Sequence, residues 1–326
     1  MDIIQKVGGV GSRWRESRLV GSSRSLAGSQ HIEAVQSYLM LLPMLIGIAL
    51  FTLYPMVWLI RWSLYTYDGY STPIFIGLEN FVRAFTRESG YWRALNSTFI
   101  IMVFKIGIEL SIALIAAVLI TGKGVMNSLF RTFFFMPCII SVAIIGLIFF
   151  LMFNPYQGVV NAILQEVGII QDRVNWFGSK GKALTVIIVG GIWHSFGINM
   201  VYFLMGLQSI PRELYECARI DGANDVQQFF KITIPMLAPV MQVILMLAIL
   251  GTMKMTDMVL VLTNGHPGGE SEVVMTYVFK YFFGGDGIEG ASQFGYASAL
   301  AVITAAILAV ITFGYLTISR RMSRIY

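Results

Sequence analysis

The amino-acid sequence predicts an all-α integral membrane protein with about six transmembrane helices. Composition and the length of the apolar runs both support this class. Of the 326 residues, 56% are hydrophobic and only 13% are charged, whereas soluble domains carry about 25% charged residues. So few charges cannot cover a water-facing surface of this size, which disfavours a large soluble protein. The alternating pattern of an outer-membrane β-barrel is also absent.

Six stretches approach the length that a helix needs to cross the hydrocarbon core, about 20 residues. They are residues 38–60, 98–120, 133–153, 184–205, 234–253 and 297–318. We predict a transmembrane helix for each stretch. Several contain glycine or proline, which membrane helices tolerate because neighbouring helices satisfy the freed backbone groups.

Basic residues near the two ends of the chain orient the predicted bundle. They are Lys6, Arg13, Arg15, Arg18, Arg24, Arg320, Arg321 and Arg324. Because cytoplasmic segments carry an excess of lysine and arginine, both termini are predicted to lie in the cytoplasm. Residues 1–36 are then a flexible basic cytoplasmic tail, and residues 37–326 form the transmembrane domain. The net charge of +5 is explained by this topology and does not predict nucleic-acid binding.

Residue types that are typical of catalytic or metal sites are scattered along the chain. His31, His194 and His266 lack the spacing of metal ligands. Cys138 and Cys217 do not predict a disulfide or a metal site. No G-x-x-x-x-G-K-[ST] phosphate loop occurs. We therefore predict no catalytic residue, no metal and no cofactor in this chain.

The segments between the spans contain local structural signals. Residues 77–85 and 271–283 have amphipathic helical patterns, with aromatic residues suited to the membrane interface. Residues 262–270, LTNGHPGGE, read as a turn cluster. No internal repeat is evident.

A polar segment, residues 211–235, separates the fourth and fifth predicted spans. Pro211 suits the first turn of a helix, Gly222 interrupts that helix, and Pro235 opens the next span. The pattern predicts one helix to about residue 220 and a second from about residue 223 to 231, joined as a hairpin on the cytoplasmic face. Two adjacent spans need only a few connecting residues, so the length of this segment favours a docking element over an ordinary loop.

The spacing in this segment resembles the signature of ABC-importer permeases: Glu-Ala-Ala, three residues, Gly, nine residues, then Ile-x-Leu-Pro. The matching positions are Glu216, Cys217, Ala218, Gly222, Ile232, Ile234 and Pro235. Cys217 stands for an alanine and Ile234 for the leucine. Residues 135–164, 204–224 and 294–303 also resemble carbohydrate-uptake permeases of the maltose and glycerol-phosphate type, and more closely the first permease subunit of that group.

This resemblance implies a non-catalytic permease subunit in the bacterial inner membrane. A second homologous permease would complete the pathway through the lipid bilayer, and two ATPase subunits would bind ATP and Mg²⁺. An extracytoplasmic binding protein would deliver a sugar, and the polar segment would be the ATPase-coupling element. Its candidate residues are Glu216, Cys217, Ala218, Asp221, Gly222, Ala223, Asp225 and Phe229.

The stretch WHSFGINMVY, residues 193–202, lies midway in the span before this segment. It combines aromatic rings, which stack on sugars, with groups that bond to sugar hydroxyls. The resemblance implies that the spans on both sides of the coupling element line the sugar cavity, which adds LGTMKMTD, residues 250–257. The candidate substrate-pathway residues are Trp193, His194, Ser195, Asn199, Tyr202, Gly251 and Lys254.

The polar side chains in these spans also have structural interpretations. His194 or Asn199 can satisfy hydrogen bonds between helices. Lys105 and Glu109 lie four residues apart, and we expect them to pair on one helix face. Lys254 can select a carboxylated sugar, although Asp257 offers it a partner within the chain.

Alternative functions stay open at this point. Importers of other solutes share the coupling signature, so the cargo can be a non-sugar solute. A secondary transporter that works without an ATPase is less favoured, because it has no use for a docking segment.

Overall fold

The computed structural model describes residues 36–122, 124–284 and 292–322, so the predicted tail lies outside them except for its last residue. The chain divides into two compact units, one ending at Leu59 and the other beginning at Ile60. The helices are α1 (Gln36–Trp62), α2 (Glu79–Thr86), α3 (Ser89–Leu119), α4 (Val125–Ile139), α5 (Val142–Met152), α6 (Val159–Glu166), α7 (Lys180–Gln208), α8 (Arg212–Ile220), α9 (Asp225–Met253), α10 (Asp257–Leu262), α11 (Val274–Phe283) and α12 (Phe294–Met322). Strands β1 (Tyr65–Thr66) and β2 (Ile74–Phe75) form an antiparallel hairpin after α1.

Five helices, α1, α3, α7, α9 and α12, are long and apolar enough to cross a membrane. The pair α4 and α5 supplies a sixth crossing if both count as one span. The predicted all-α membrane fold is therefore confirmed. The amphipathic patterns are confirmed as α2 and α11, and the turn cluster follows α10.

The span predicted over residues 133–153 consists of parts of two helices, because the chain bends by 95° between α4 and α5. Pro137 lies inside α4 and provides no backbone N–H for the helical ladder. The chain becomes extended at Ile140 and Ser141, with ψ angles of 139° and 135°. Ser141 then begins a new helix in a different direction.

Helix α7 packs against α3, α4 and α10 because small residues let these neighbours approach it. A Cβ atom on Gly197 would lie 2.0 Å from the carbonyl oxygen of Phe134 in α4, and one on Gly190 would lie 2.3 Å from Met258 in α10. Ile187 of α7 packs with Ile101 of α3 in the apolar core. Close packing between small residues is a usual way for helices to associate in membranes, and it places the polar residues of α7 beside those of α3.

A second core lies near the N-terminal end of α3, where Glu88 gathers residues from three other helices. The Glu88 carboxylate accepts hydrogen bonds from Tyr277 of α11 and from Tyr296 of α12, the latter at 3.1 Å. Arg83 of α2 lies 3.7 Å from the same carboxylate and 3.9 Å from the centre of the Tyr296 ring. Burial, and then the bond to Glu88, raises the pKa of Tyr277. This cluster fixes α2 and α11 against the end of the bundle.

Candidate functional site

A cavity of about 460 Å³ lies between α3, α7, α9 and α10. It is lined by every predicted substrate-pathway residue except Trp193, namely His194, Ser195, Asn199, Tyr202, Gly251 and Lys254. Residues from the spans before and after the polar segment therefore meet around one space. The volume falls within the usual range for small-molecule sites, about 300–1,000 Å³.

Trp193 lies on a different face of α7 from these residues. Its side chain packs on Phe149 with the ring centres 5.8 Å apart, and it lines an apolar groove with Phe104 and Phe196. Successive helical residues point about 100° apart, so adjacency to His194 does not place Trp193 in the same cavity. The aromatic ring that does line the cavity belongs to Tyr202.

A buried polar network forms the α3 side of the cavity. Glu109 is fully buried, and Lys105 and Asn199 are each 6% exposed. The Glu109 carboxylate accepts hydrogen bonds from Lys105 Nζ and from Asn199 Nδ2, both at 2.5 Å. The expected pair within α3 is thus formed, and Asn199 extends it to α7.

Both N–H groups of the Asn199 side-chain amide donate hydrogen bonds in this network. Its second N–H donates to the Ser195 carbonyl at 3.4 Å, while its Oδ1 accepts no hydrogen bond from the described residues. Since Asn199 lines the cavity, this oxygen is available to a hydroxyl group of a bound molecule.

Lys254 differs from Lys105 in its charge environment. Both line the cavity, and so does Asp257. Among the described residues, however, neither Lys254 nor Asp257 has an ion-pair partner within 4.0 Å, whereas Lys105 is paired with Glu109. Lys254 is therefore an exposed ammonium group without a direct ion-pair partner among the described residues, and the Asp257 carboxylate lines the same cavity.

The first half of the polar segment forms α8, which ends in a glycine-dependent turn. The Gly222 N–H donates to the Arg219 carbonyl at 3.0 Å, and the Ala223 N–H donates to the Ala218 carbonyl at 2.8 Å. This pattern, with Gly222 at φ +80°, is the Schellman motif that ends many helices. The spacing of Ala218 and Gly222 in the signature is the spacing that this turn requires.

The second half of the segment differs from the prediction, because it is not a separate short helix. It forms the first turns of α9, which runs without interruption from Asp225 to Met253. Asn224 begins this helix with a reciprocal capping box to Gln227. Residues Phe229–Thr233 adopt a wider π-helical turn, which shifts the backbone bonds by one residue and lets the helix continue through Pro235.

The predicted coupling residues divide between two surfaces. Glu216, Cys217 and Asp221 are exposed on α8, so they are accessible to a partner. Asp225, which is also exposed, and the half-buried Phe229 line a cavity of about 910 Å³ between α8, α9 and the C-terminal end of α3. Ala218 and Ala223 are half-buried and hold the turn described above.

Sequence reasoning missed part of both cavities. Lys105 and Glu109 were expected chiefly to pair on one helix face, and they were not included among the substrate-pathway residues although both line the cavity. Arg212 and Arg219 line the cavity behind α8 with Arg131 of α4, and their separation by seven residues is the signal that places them on one helix face. Within the described part of the chain, no group of three or more His, Cys, Asp or Glu residues could hold a metal ion.

Comparisons with known proteins identify the family. The model for "Binding-protein-dependent transport system inner membrane component" matches residues 109–324. The chain is 33% identical to the lactose transport system permease protein LacF of Rhizobium radiobacter, over 86% of this chain and 92% of that protein. It is 32% identical to the trehalose/maltose transport system permease protein MalF of Thermococcus litoralis, over 88% of this chain and 95% of that protein.

The fold also matches a solved structure, that of a bacterial ABC transporter involved in the import of the acidic polysaccharide alginate. The TM-score is 0.74, and the match covers 89% of this chain and 96% of that chain at 24% sequence identity. At this identity the likeness concerns the fold.

Proposed function

The chain belongs to the family of binding-protein-dependent transport system inner membrane components, and from this membership we propose that it is a permease subunit of an ATP-driven importer of sugars, oligosaccharides in particular. The protein is a multi-pass protein of the inner membrane. A second, homologous permease completes the translocation pathway. Two ATPase subunits bind ATP and Mg²⁺ and supply the energy, and an extracytoplasmic binding protein delivers the sugar.

The observation that carries the proposal is the exposed helix α8 between two membrane spans. Helices α7 and α9 both have the length and hydropathy of spans, so α8 must lie at a membrane surface. Its end is fixed by the Gly222 turn, and its exposed residues include Glu216. Since the glycine turn and the continuous α9 connect α8 directly to the cavity-lining helices, a push on α8 is transmitted to the cavity.

The sugar class rests on the relatives and on the cavity. The two relatives named above are named for transport of lactose and of trehalose and maltose. The cavity offers the Tyr202 ring, the free Asn199 oxygen and the Ser195 hydroxyl, groups suited to hydroxyl-rich molecules. The chain itself acts without catalysis in this scheme: it binds the sugar and changes its access from one side of the membrane to the other.

Co-purification and uptake test the proposal. The full chain, expressed with its transporter partners, should retain an ATPase subunit and support ATP-dependent uptake of a labelled oligosaccharide into proteoliposomes. Glu216→Ala should reduce uptake and ATPase retention, whereas Glu213→Ala, on the same helix but outside the signature, should leave both near wild type. ATP-independent uptake by protein that never retains an ATPase subunit would refute the proposal.

The unpaired ammonium of Lys254 favours a more specific candidate, a carboxylated sugar. A buried carboxylate needs a positive partner, and Lys105 is already neutralised by Glu109. Uptake assays with paired neutral and uronate-containing oligosaccharides distinguish a neutral from a carboxylated substrate. A preference for the acidic sugar that disappears in Lys254→Ala supports this candidate, and a strict preference for neutral sugar, unchanged by Lys254→Ala, rules it out.

A further inference from the structure

The cavity behind α8 has a positive charge that its described lining does not neutralise. Three guanidinium groups line it, from Arg131 of α4 and from Arg212 and Arg219 of α8, and Asp225 is the one carboxylate among the described lining residues. The ion pairs found within 4.0 Å in the described ranges involve none of these four residues. Like charges around one space repel each other, so the arrangement calls for an anion.

Arg131 also has a buried hydrogen-bond donor without an acceptor among the described residues. Its Nη2 donates to the carbonyl of Ile120 at 2.8 Å, and contacts those of Thr121 and Gly122 at 3.3 and 3.2 Å. It thereby satisfies carbonyl groups at the C-terminal end of α3. Its Nε, however, is buried and has no hydrogen-bond partner among the described residues. A buried donor without an acceptor costs about 1–3 kcal/mol, which a bound acceptor would remove.

Local helix stability explains Arg219, which lies in the last turn of α8, but it does not explain Arg212. Arg212 is in the first turn of α8, where the helix dipole disfavours a positive charge. Arg212, Tyr215 and Arg219 share one face by their spacing, and the Tyr215 hydroxyl lies 2.8 Å from the Thr233 hydroxyl of α9. Arg212 and Arg219 therefore lie beside Tyr215, which contacts α9, and both line the cavity while their side chains stay exposed.

We propose that the cavity behind α8 binds a phosphate group, carried by an anionic phospholipid or by a soluble phosphate. Guanidinium groups match phosphate oxygens with paired hydrogen bonds. A soluble phosphomonoester carries a charge of about −1.5 to −2, and the phosphodiester of an anionic phospholipid carries a single negative charge. Either one reduces the excess positive charge of three guanidinium groups beside one carboxylate. Because α7 and α9 are spans, α8 lies at the membrane surface, where lipid headgroups are available. The bound phosphate fastens α8 to the ends of α3 and α4.

The site does not depend on sugar transport or on an ATPase, so its test is separate from that of the proposed function. The full chain is placed in nanodiscs of phosphatidylcholine with or without phosphatidylglycerol, and bound lipid is counted by native mass spectrometry. The test variant is Arg212→Gln with Arg219→Gln, which spares the helix-end contacts of Arg131. Lys231→Gln is the matched control, because Lys231 is an exposed cation of α9 that does not line the cavity.

We expect wild type and Lys231→Gln to retain phosphatidylglycerol and the double variant to lose it at least about tenfold, as expected when charge-assisted bonds worth about 1.4 kcal/mol or more are removed. A second arm titrates inorganic phosphate into nanodiscs of phosphatidylcholine alone and follows the Tm. A phosphate-dependent rise in Tm that the double variant lacks assigns the site to a soluble phosphate.

Two results overturn the proposal. One is that neither phosphatidylglycerol retention nor a phosphate-dependent rise in Tm is seen, or that the double variant shows both to the same extent as wild type. The Tm of the double variant without anion is the control, because a value equal to that of wild type shows that the variant folds. The other is a co-purified polypeptide that is lost in the double variant and is insensitive to lipid and phosphate, because this would assign the cavity to a protein carboxylate.

Discussion

Replacement of Glu109 is the sharpest test of the buried network. In Glu109→Gln, the Lys105 ammonium keeps its position but loses the carboxylate that neutralises it. Glu109 is fully buried and Lys105 is 6% exposed, so contact with water compensates little for the lost ion pair. Breaking a buried ion pair on one side costs about 3–5 kcal/mol, and the weaker bond from Asn199 to the new amide adds about 1 kcal/mol. We therefore expect Glu109→Gln to destabilise the protein by about 4–6 kcal/mol.

The double variant Lys105→Met with Glu109→Gln separates charge from packing. It removes the unpaired ammonium while it keeps an apolar stem of similar length, so most of the lost stability should return. Unfolding in mixed detergent micelles, followed by tryptophan fluorescence, gives the four free energies of a double-mutant cycle. One refuting result is that Glu109→Gln is as stable as wild type, and another is that the double variant is no more stable than Glu109→Gln. Either result would mean that the pair of Lys105 with Glu109 does not stabilise the contact of α3 with α7.

Three further predictions concern the helices around the cavities. Gly197→Ala should lower stability by about 1–3 kcal/mol, measured in the same micelles, because its Cβ would meet the Phe134 carbonyl at 2.0 Å; Gly251→Ala, which meets nothing within 4 Å, is its control. Gly222→Ala should lower the free energy of unfolding by about 1–2 kcal/mol, because the residue has φ +80°. It should also reduce ATP-driven uptake, and unchanged uptake would mean that the α8 turn does not transmit movement of the ATPase to the spans. Tyr202→Leu should raise the KM for uptake, whereas Trp193→Leu should not, since only Tyr202 lines the cavity; the reverse result would move the sugar to the groove beside Trp193.

The sequence predicted most of the membrane fold because hydrocarbon imposes a simple requirement. Every backbone group in the core must bond within its own helix, so length and hydropathy identify the spans. The same reasoning did not predict the bend after Pro137. The effect of one proline on a span depends on whether neighbouring helices satisfy the backbone groups that it leaves unbonded. That reasoning also failed at Pro235, where proline was expected to begin a helix, because the π-helical turn that admits it is not visible in an apolar pattern.

The sequence by itself determined that this chain has the apolar spans of a membrane protein, which residues form the glycine-ended helix α8, and which two spans carry the polar side chains that line the cavity. These properties follow from hydropathy and from local spacing along one helix. Only the tertiary structure decided that Glu109 joins Lys105 to Asn199, that Trp193 lies off the cavity, and that three arginines surround one space behind α8. Such contacts depend on the rotation of each helix against its neighbours, which close packing at Gly190 and Gly197 sets and which a single sequence does not encode in any local pattern.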